Sequence, residues 1–280
     1  MPSFRIHALQ RDDVAYLDTV HLDFFNAIGR ERQRLFPQHG PQIVPIADGV
    51  MNFASNSAYW SRTYGLGLKQ EITAEDLDTL EYEFSRRGLD PCIEFNTLAD
   101  ISLMNQLIRR GYTVSEFTNA LLRPFDPDET FAPPADGISI EIVDPADRKL
   151  FQLWCETFEA GFAADSEDSD TNTPEQMKVY RGSPEAKLYL ARFNGEPAGG
   201  AVIAMLGEIG LMIGASTLPQ FRRRGIQTAL INRRFSDALA AGCEVATIYA
   251  SQSSGSQHNA ERLGFHIIYT QVCFRKKLAG

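Results

Sequence analysis

The sequence has few of the features that mark secreted, membrane-spanning or metal-binding proteins. It contains four cysteines, Cys92, Cys155, Cys243 and Cys273, and no C-x-x-C pair. We therefore expect buried free thiols rather than disulfides, and no metal site. No apolar run approaches the roughly 18 residues that a membrane span needs. Residues 1–10 lack a signal-peptide core, so we expect a cytoplasmic protein with no membrane partner.

Positive charge is also scarce. The 280 residues include 27 Lys and Arg against 36 Asp and Glu, which gives a formal net charge of −9. A nucleic-acid partner usually requires a basic surface, so we expect none. The hydrophobic fraction of 44% is too high for a disordered chain, and the length suggests about two domains.

A proline-rich acidic segment divides the chain. Residues 124–136 contain four prolines and four acidic residues, and Pro133-Pro134 can continue neither a helix nor a central strand. We interpret this segment as a linker between a first domain, 1–123, and a second domain, 137–280.

Hydrophobic periodicity predicts a mixed α/β order in the second domain: strand, two helices, three strands, helix, strand, helix, strand. The predicted strands are 138–143, 187–193, 197–205, 209–218, 245–250 and 265–274, and the predicted helices are 145–162, 174–181, 226–240 and 256–263. In the first domain the pattern predicts strands at 4–9 and 92–95 and helices at 12–36, from a Thr73 cap to Gly88, and up to Arg110.

The helix–strand–helix–strand order at the end of the second domain also occurs in the first domain. The glycines that stop successive helices are 23 residues apart in the first domain (Gly88 and Gly111) and 22 apart in the second (Gly242 and Gly264). This agreement favours a diverged internal duplication, although similar orders also recur by chance in α/β proteins.

The most informative segment is a basic turn before a helix. Pro219 ends a strand, and Arg222-Arg223-Arg224-Gly225 leads into the helix at Ile226. A helix start offers unpaired N–H groups and a partial positive charge, and glycine allows a ligand to approach the backbone. Together with the arginines this predicts a pyrophosphate cradle. The turn lacks the Gly-Lys-Ser/Thr and G-x-G-x-x-G motifs. The alternative is a solvated basic helix start.

This segment resembles the acetyl-CoA motif of the GNAT N-acetyltransferase superfamily, Arg/Gln-x-x-Gly-x-Gly/Ala, with Gln227 at the last position in place of Gly or Ala. Residues 254–265 resemble the second motif of the family, a helix that carries Asn259 and ends in Gly-Phe. The resemblance implies an α/β (α+β) fold of two GNAT-like domains, each a mixed, mostly antiparallel twisted sheet flanked by helices. The first domain would be a degenerate copy.

The resemblance also implies that acetyl-CoA binds as a co-substrate, its pantetheine amides pairing with the backbone of residues 215–217. The implied cofactor-binding residues are Ala215, Ser216, Thr217, Arg222, Arg223, Arg224, Gly225, Ile226, Gln227, Thr228 and Asn259. The predicted strand 209–218, which carries residues 215–217, would splay from the next strand and open a cleft for the thioester.

The implied reaction is direct attack of an amine, on a small molecule or a protein, on the acetyl carbonyl. The general acid and base are not identified, because Ala260 stands where many family members have a tyrosine acid and Leu211 where many have a glutamate base. Weak candidates are Glu208, Ser256 and Tyr269. The alternatives are a non-catalytic acyl-CoA sensor and, against the charge balance, a nucleic-acid-associated protein.

Other segments leave two interpretations open. The acidic residues 165–170 could attract a cationic acceptor or form a solvated loop. Residues 65–73 occupy the place of a duplicated cradle but lack arginine, so we expect no phosphate site there. Nearby, Tyr59, Trp60 and Tyr64 could line a cleft toward the second domain or form an aromatic strand in a core. His258 and His266 have no partners at metal-ligand spacing.

Overall fold

The computed structural model describes residues 11–39, 43–53, 61–163 and 174–277. The helices are α1 (Arg11–Leu35), α2 (Ala74–Ser85), α3 (Ile101–Arg109), α4 (Arg148–Ala163), α5 (Pro174–Arg181), α6 (Ile226–Ala240) and α7 (Gly255–Arg262). The strands are β1 (Ile43–Ile46), β2 (Gly49–Asn52), β3 (Arg62–Tyr64), β4 (Cys92–Asn96), β5 (Thr113–Pro124), β6 (Ile138–Val143), β7 (Ala186–Phe193), β8 (Glu196–Leu206), β9 (Ile209–Thr217), β10 (Val245–Ser251) and β11 (His266–Arg275).

The chain forms two compact units. The first comprises residues 1–122 and 249–280, and the second comprises residues 123–248. These units differ from the predicted domains, because the C-terminal segment packs with the first part of the chain. The predicted domains describe a duplication of sequence and stay a prediction.

Among the strands that the structure describes, each unit has one parallel pair in an otherwise antiparallel sheet. In the first unit the described strands have the order β1-β2-β3-β4-β11-β5, and β3 and β4 run parallel. In the second unit the described strands have the order β10-β9-β8-β7-β6, and β10 and β9 run parallel. Parallel neighbours need a crossover connection, which α2 supplies in the first unit and α6 in the second. The predicted class, a mixed and mostly antiparallel sheet flanked by helices, is confirmed.

The core of the first unit lies on one face of its sheet. Alternation along β4 directs Ile93 and Phe95 to this face, where they join Leu80 and Phe84 of α2 in one buried cluster. Helix α2 begins where Thr73 and Asp76 form a reciprocal capping box, as the sequence predicts.

The core of the second unit is built around aromatic side chains. Trp154 and Phe158 stack on α4 with ring centroids 5.0 Å apart, and both are buried. The predicted linker is ordered: Phe125 and Phe131 each place a ring centroid 5.5 Å from that of Phe235 on α6. The linker is therefore anchored to the second unit by aromatic contacts.

Several other expectations can be compared with the described residues. The four cysteines are buried and free, as predicted. Within the described ranges, no helix has the length and apolar character of a membrane span. The predicted strand 4–9, the acidic segment 165–170 and the aromatic residues Tyr59 and Trp60 lie outside the described residues.

Candidate active site

The basic turn of the second unit joins the end of β9 to the start of α6. A short 3-10 turn, Pro219–Phe221, follows β9, and Gly225 is the N-cap of α6. Arg223 and Gly225 both have left-handed backbone angles, with φ of 62° and 86°. Left-handed residues are typical of turns whose successive N–H groups point toward one side, as in anion-binding concavities. A left-handed arginine costs about 1–2 kcal/mol, and such strain concentrates at functional sites.

Gly225 is required by its conformation rather than by crowding. A Cβ added there would meet only Ile138 Cδ1, at 3.7 Å, so the space above the turn is open. Helix α6 starts without a side-chain cap. The N–H groups of its first turn therefore have no side-chain acceptor and, together with the helix dipole, favour an anionic ligand.

The three arginines of the turn take different positions. Arg223 and Arg224 are exposed, and neither forms an ion pair with any described residue. Arg224 lies 4.9 Å from the ring centroid of Phe193. Arg222 is half-buried and donates from Nε to Thr217 O (3.2 Å) and from Nη2 to Gly161 O (3.3 Å). Arg222 therefore fastens the end of β9 to α4.

Helix α4 packs very closely against the end of β9. A Cβ on Gly161 would lie 2.5 Å from Ser216 Oγ, so only glycine permits this approach. The Ser216 hydroxyl donates to Phe158 O at 2.8 Å. These contacts hold the backbone of the strand in place where it enters the basic turn.

The outer half of β9 has one open edge. Strand β8 pairs with β9 along its whole length, from Leu206↔Ile209 to Gly199↔Thr217. Strand β10 pairs with β9 only over residues 209–211, so on that side β10 leaves residues 212–217 unpaired. The predicted strand segment Ala215–Thr217 lies in this open part. Among the described residues, Thr217 Oγ1 is buried without a hydrogen-bond partner.

The remaining predicted residues of the second unit point in different directions. The side chain of Ile226 is buried in the core, Gln227 is half-buried and Thr228 is exposed. Glu208 precedes β9, at the opposite end from the basic turn. A nine-residue strand spans about 30 Å at 3.3 Å per residue, so the structure does not bring Glu208 to the turn.

Three predicted residues belong to the first unit. Asn259, on α7, accepts a hydrogen bond from Arg262, and Ser256 is exposed at the start of the same helix. Tyr269, on β11, is buried and bonds to Asp18 and Tyr249. Burial, together with those neighbours, raises the pKa of Tyr269 well above its ordinary value, which makes it a poor proton donor near neutral pH. The roles of all three stay predictions.

The corresponding turn of the first unit already contains an anion. The Asp48 carboxylate accepts from the N–H groups of Gly67 (2.9 Å), Lys69 (2.7 Å) and Gln70 (3.3 Å). Thr73 also caps the helix that follows. These donors are therefore satisfied internally, and the absence of a phosphate site here stays a prediction.

A buried cation that was not among the predicted site residues lies beside β9. Arg234 of α6 donates to the carbonyl groups of Leu230, Val202 and Gly214, at 3.2–3.3 Å. Val202 and Gly214 flank a bulge in the β8–β9 ladder. Burial lowers the pKa of Arg234 to about 10. A charged residue in an otherwise apolar stripe of α6 is the one signal that the sequence offered.

The fold resembles those of solved acetyltransferases. A GCN5-related N-acetyltransferase from Kribbella flavida gives a TM-score of 0.63 at 17% identity, over 90% of this chain and 95% of that one. A second, from Sphaerobacter thermophilus, gives 0.61 at 16% identity, over 96% and 94%. A tandem GNAT protein from the clavulanic acid biosynthesis pathway gives 0.61 at 10% identity, over 83% and 80%.

These likenesses define the chain as a protein of tandem GNAT fold. In sequence, residues 148–265 match the model of the acetyltransferase (GNAT) family. This segment is a GNAT acetyltransferase domain. No curated protein matches the chain.

Proposed function

We propose that the second unit binds acetyl-CoA at the basic turn and transfers the acetyl group to an amine. The observation that carries the proposal is the uncapped start of α6, with left-handed Arg223 and Gly225 in front of it. This geometry suits a pyrophosphate, because the turn combines free backbone N–H groups, the positive end of the helix dipole and two exposed arginines within four residues.

The end of β9 supports the same placement. Its open edge beyond Leu211 offers backbone groups that an amide-containing arm can pair with, as an added strand would. Thr217 Oγ1 is a buried hydroxyl without a described partner, and a buried group of this kind is costly unless a ligand or water satisfies it. The residues present therefore fit the pantetheine arm of CoA.

The chemistry follows from the thioester. The lone pair of a neutral amine attacks the acetyl carbonyl, a C–N bond forms, the C–S bond breaks, and CoA leaves as its thiolate. The proton lost by the amine balances the thiolate. Backbone N–H donors that face the carbonyl oxygen would stabilise its developing charge. We propose direct transfer, without an acyl-enzyme, to a small-molecule or protein amine.

A thiol-release assay tests whether turnover occurs. The full chain is incubated with acetyl-CoA and a panel of amines, and free CoA is detected with a thiol reagent. We expect release above background hydrolysis for at least one class of amine. Tight binding of acetyl-CoA without release on any amine would instead favour the acyl-CoA sensor, an alternative motivated by Leu211 and Ala260, both apolar and buried.

Thr217 offers a subtler test. Thr217→Val removes the unpartnered hydroxyl but keeps its shape, so we expect a melting temperature equal to or slightly above that of the parent. The affinity for acetyl-CoA should fall about five- to tenfold, the equivalent of one lost hydrogen bond of about 1–1.4 kcal/mol. Titration calorimetry measures this change, and an unchanged affinity would exclude the hydroxyl from the site.

A further inference from the structure

The first unit contains a cavity of about 270 Å³. Helix α1 forms one wall with Asp18, His21 and Phe25, and the sheet forms the opposite wall. All the lining residues belong to the first unit, so the cavity is independent of the basic turn of the second unit.

The sheet face that lines this cavity is polar, although it is largely buried. Along β4, Ile93 and Phe95 enter the apolar core, while Cys92, Glu94 and Asn96 point to the other face. In the neighbouring strands, Gln271 lies opposite Asn96 and Thr118 lies opposite Gln271. A buried sheet face is normally apolar, and such departures from pattern are expected at functional sites.

Acidic side chains outnumber basic ones in the lining of the cavity. Its lining includes the carboxyl groups of Asp18, Glu94 and Glu116 against the single guanidinium of Arg62. Arg62 Nη1 binds both Glu94 Oε1 and Glu116 Oε1. His21 adds no positive charge near neutral pH, because burial lowers its pKa to about 3.

One carboxylate oxygen in the cavity lining, Glu94 Oε2, is unpaired among the described residues. The Glu94 side chain is only 4% exposed, and its Oε2 has no hydrogen-bond partner among the described residues. Asp18, by contrast, accepts from Tyr269 and Asn96. Glu94 lines the cavity, and its Oε2 is a buried acceptor that a cationic donor in the cavity would satisfy once the side chain turns toward it.

The other walls favour an organic cation. Phe25 and Tyr64 stack with ring centroids 5.6 Å apart, and ring faces attract ammonium groups and pack against methylene chains. Tyr249 and Ser251 contribute hydroxyl groups to the lining of the cavity. Tyr64 lines this cavity within the first unit, which is neither the cleft toward the second domain nor the core position that the sequence suggested.

A metal ion is the competing occupant. The ligand atoms of Cys92, Glu94 and Cys273 lie within 4.8 Å of one another. The two thiols, however, share a hydrogen bond with 3.0 Å between their Sγ atoms. This contact, together with burial, raises the pKa of Cys92 well above its ordinary value, whereas the same contact lowers the pKa of Cys273. A thiol that holds its proton is a poor metal ligand, and Arg62 places a positive charge beside Glu94.

We propose that this cavity is a binding site for a small primary-amine cation, anchored by the unpartnered oxygen of Glu94. The site does not depend on the proposed acetyl transfer, because it lies in the unit whose cradle is filled by Asp48. The first unit would then bind a ligand other than acetyl-CoA.

Titration calorimetry on the full chain without acetyl-CoA tests the proposal. The probes are putrescine and spermidine, the neutral isostere 1,4-butanediol, and zinc chloride. We expect one amine to bind per chain and the diol to show no binding. Equal binding of diol and amine, binding of zinc alone, or binding of no probe would each overturn the proposal.

Variants then locate the binding. Glu94→Gln should weaken the amine at least tenfold, and Ser251→Trp should abolish binding by filling the mouth of the cavity from an exposed position, where folding tolerates it. Glu71→Gln, at an exposed acidic residue of the same unit, is the matched control and should bind like the parent. Parental affinity in both Glu94→Gln and Ser251→Trp would place the amine elsewhere.

Discussion

Replacement of Gly225 by aspartate is expected to lower the affinity for acetyl-CoA at least about a hundredfold, or roughly 2.7 kcal/mol. A side chain at φ 86° costs about 1–2 kcal/mol. The carboxylate would also compete with the pyrophosphate for the N–H groups of the turn, as Asp48 does in the first unit. Titration calorimetry with acetyl-CoA measures the loss.

Two matched variants separate charge from strain. Gly225→Asn has nearly the same size and tolerates the left-handed conformation, so it should retain affinity within about tenfold. Gly242→Asp introduces the same charge and strain after the other end of α6, where φ is 89° and the space around the Cβ is empty. It should bind acetyl-CoA like the parent. If Gly225→Asp also binds like the parent, the pyrophosphate lies elsewhere.

Much of the fold could be predicted because its signals are local. The bounds of α6 are as predicted, since an apolar stripe is preceded by one glycine and followed by another. Strands β1 and β2 were not predicted, because segments of four residues give little periodicity. Pro45 further weakens the signal of β1, the outermost strand of its unit, where proline is tolerated.

In the candidate site, too, the features with a local sequence signal were predictable and those that depend on distant residues were not. The basic turn is contiguous in sequence, so its residue types and order were enough to identify it. The inward position of Arg222 depends on Gly161, 61 residues away, and no local pattern predicts it. The C-terminal position of β11 similarly conceals its packing with β4, which brings together thiols that are 181 residues apart.

The cavity of the first unit could have been suspected in part. Polar and apolar residues alternate along Cys92-Ile-Glu-Phe-Asn96. This pattern by itself predicts only a strand. Alternation usually means that one face is solvated. Glu94 is instead buried, because α1 covers this face with Asp18 and His21. Burial of a polar face is a tertiary property, so sequence alone left the two cases unresolved.

Arg62→Met should lower the free energy of unfolding by about 3–5 kcal/mol, because it leaves a carboxylate buried without its counter-charge. Arg62 is 8% exposed and binds Glu94 and Glu116. Glu116 is partly exposed and can turn to water, whereas Glu94 cannot. Urea unfolding at neutral pH measures the loss. Arg86→Met, which breaks a surface pair with Glu83, is the control and should cost less than about 1 kcal/mol.

The double variant Arg62→Met/Glu94→Gln identifies the cause. If the uncompensated charge is responsible, the second substitution should restore a large part of the lost stability, since it removes that charge. A lower pH should also restore part of the stability that Arg62→Met loses. Burial already raises the pKa of Glu94, and the loss of Arg62 would raise it further, so the folded variant would take up a proton above the pKa of the unfolded chain. The deficit relative to the parent should then shrink as the pH falls from 7.5 toward 5. A deficit that is unchanged both by Glu94→Gln and by acid would mean that Arg62 acts through packing, and that Glu94 carries no charge for a cation to meet.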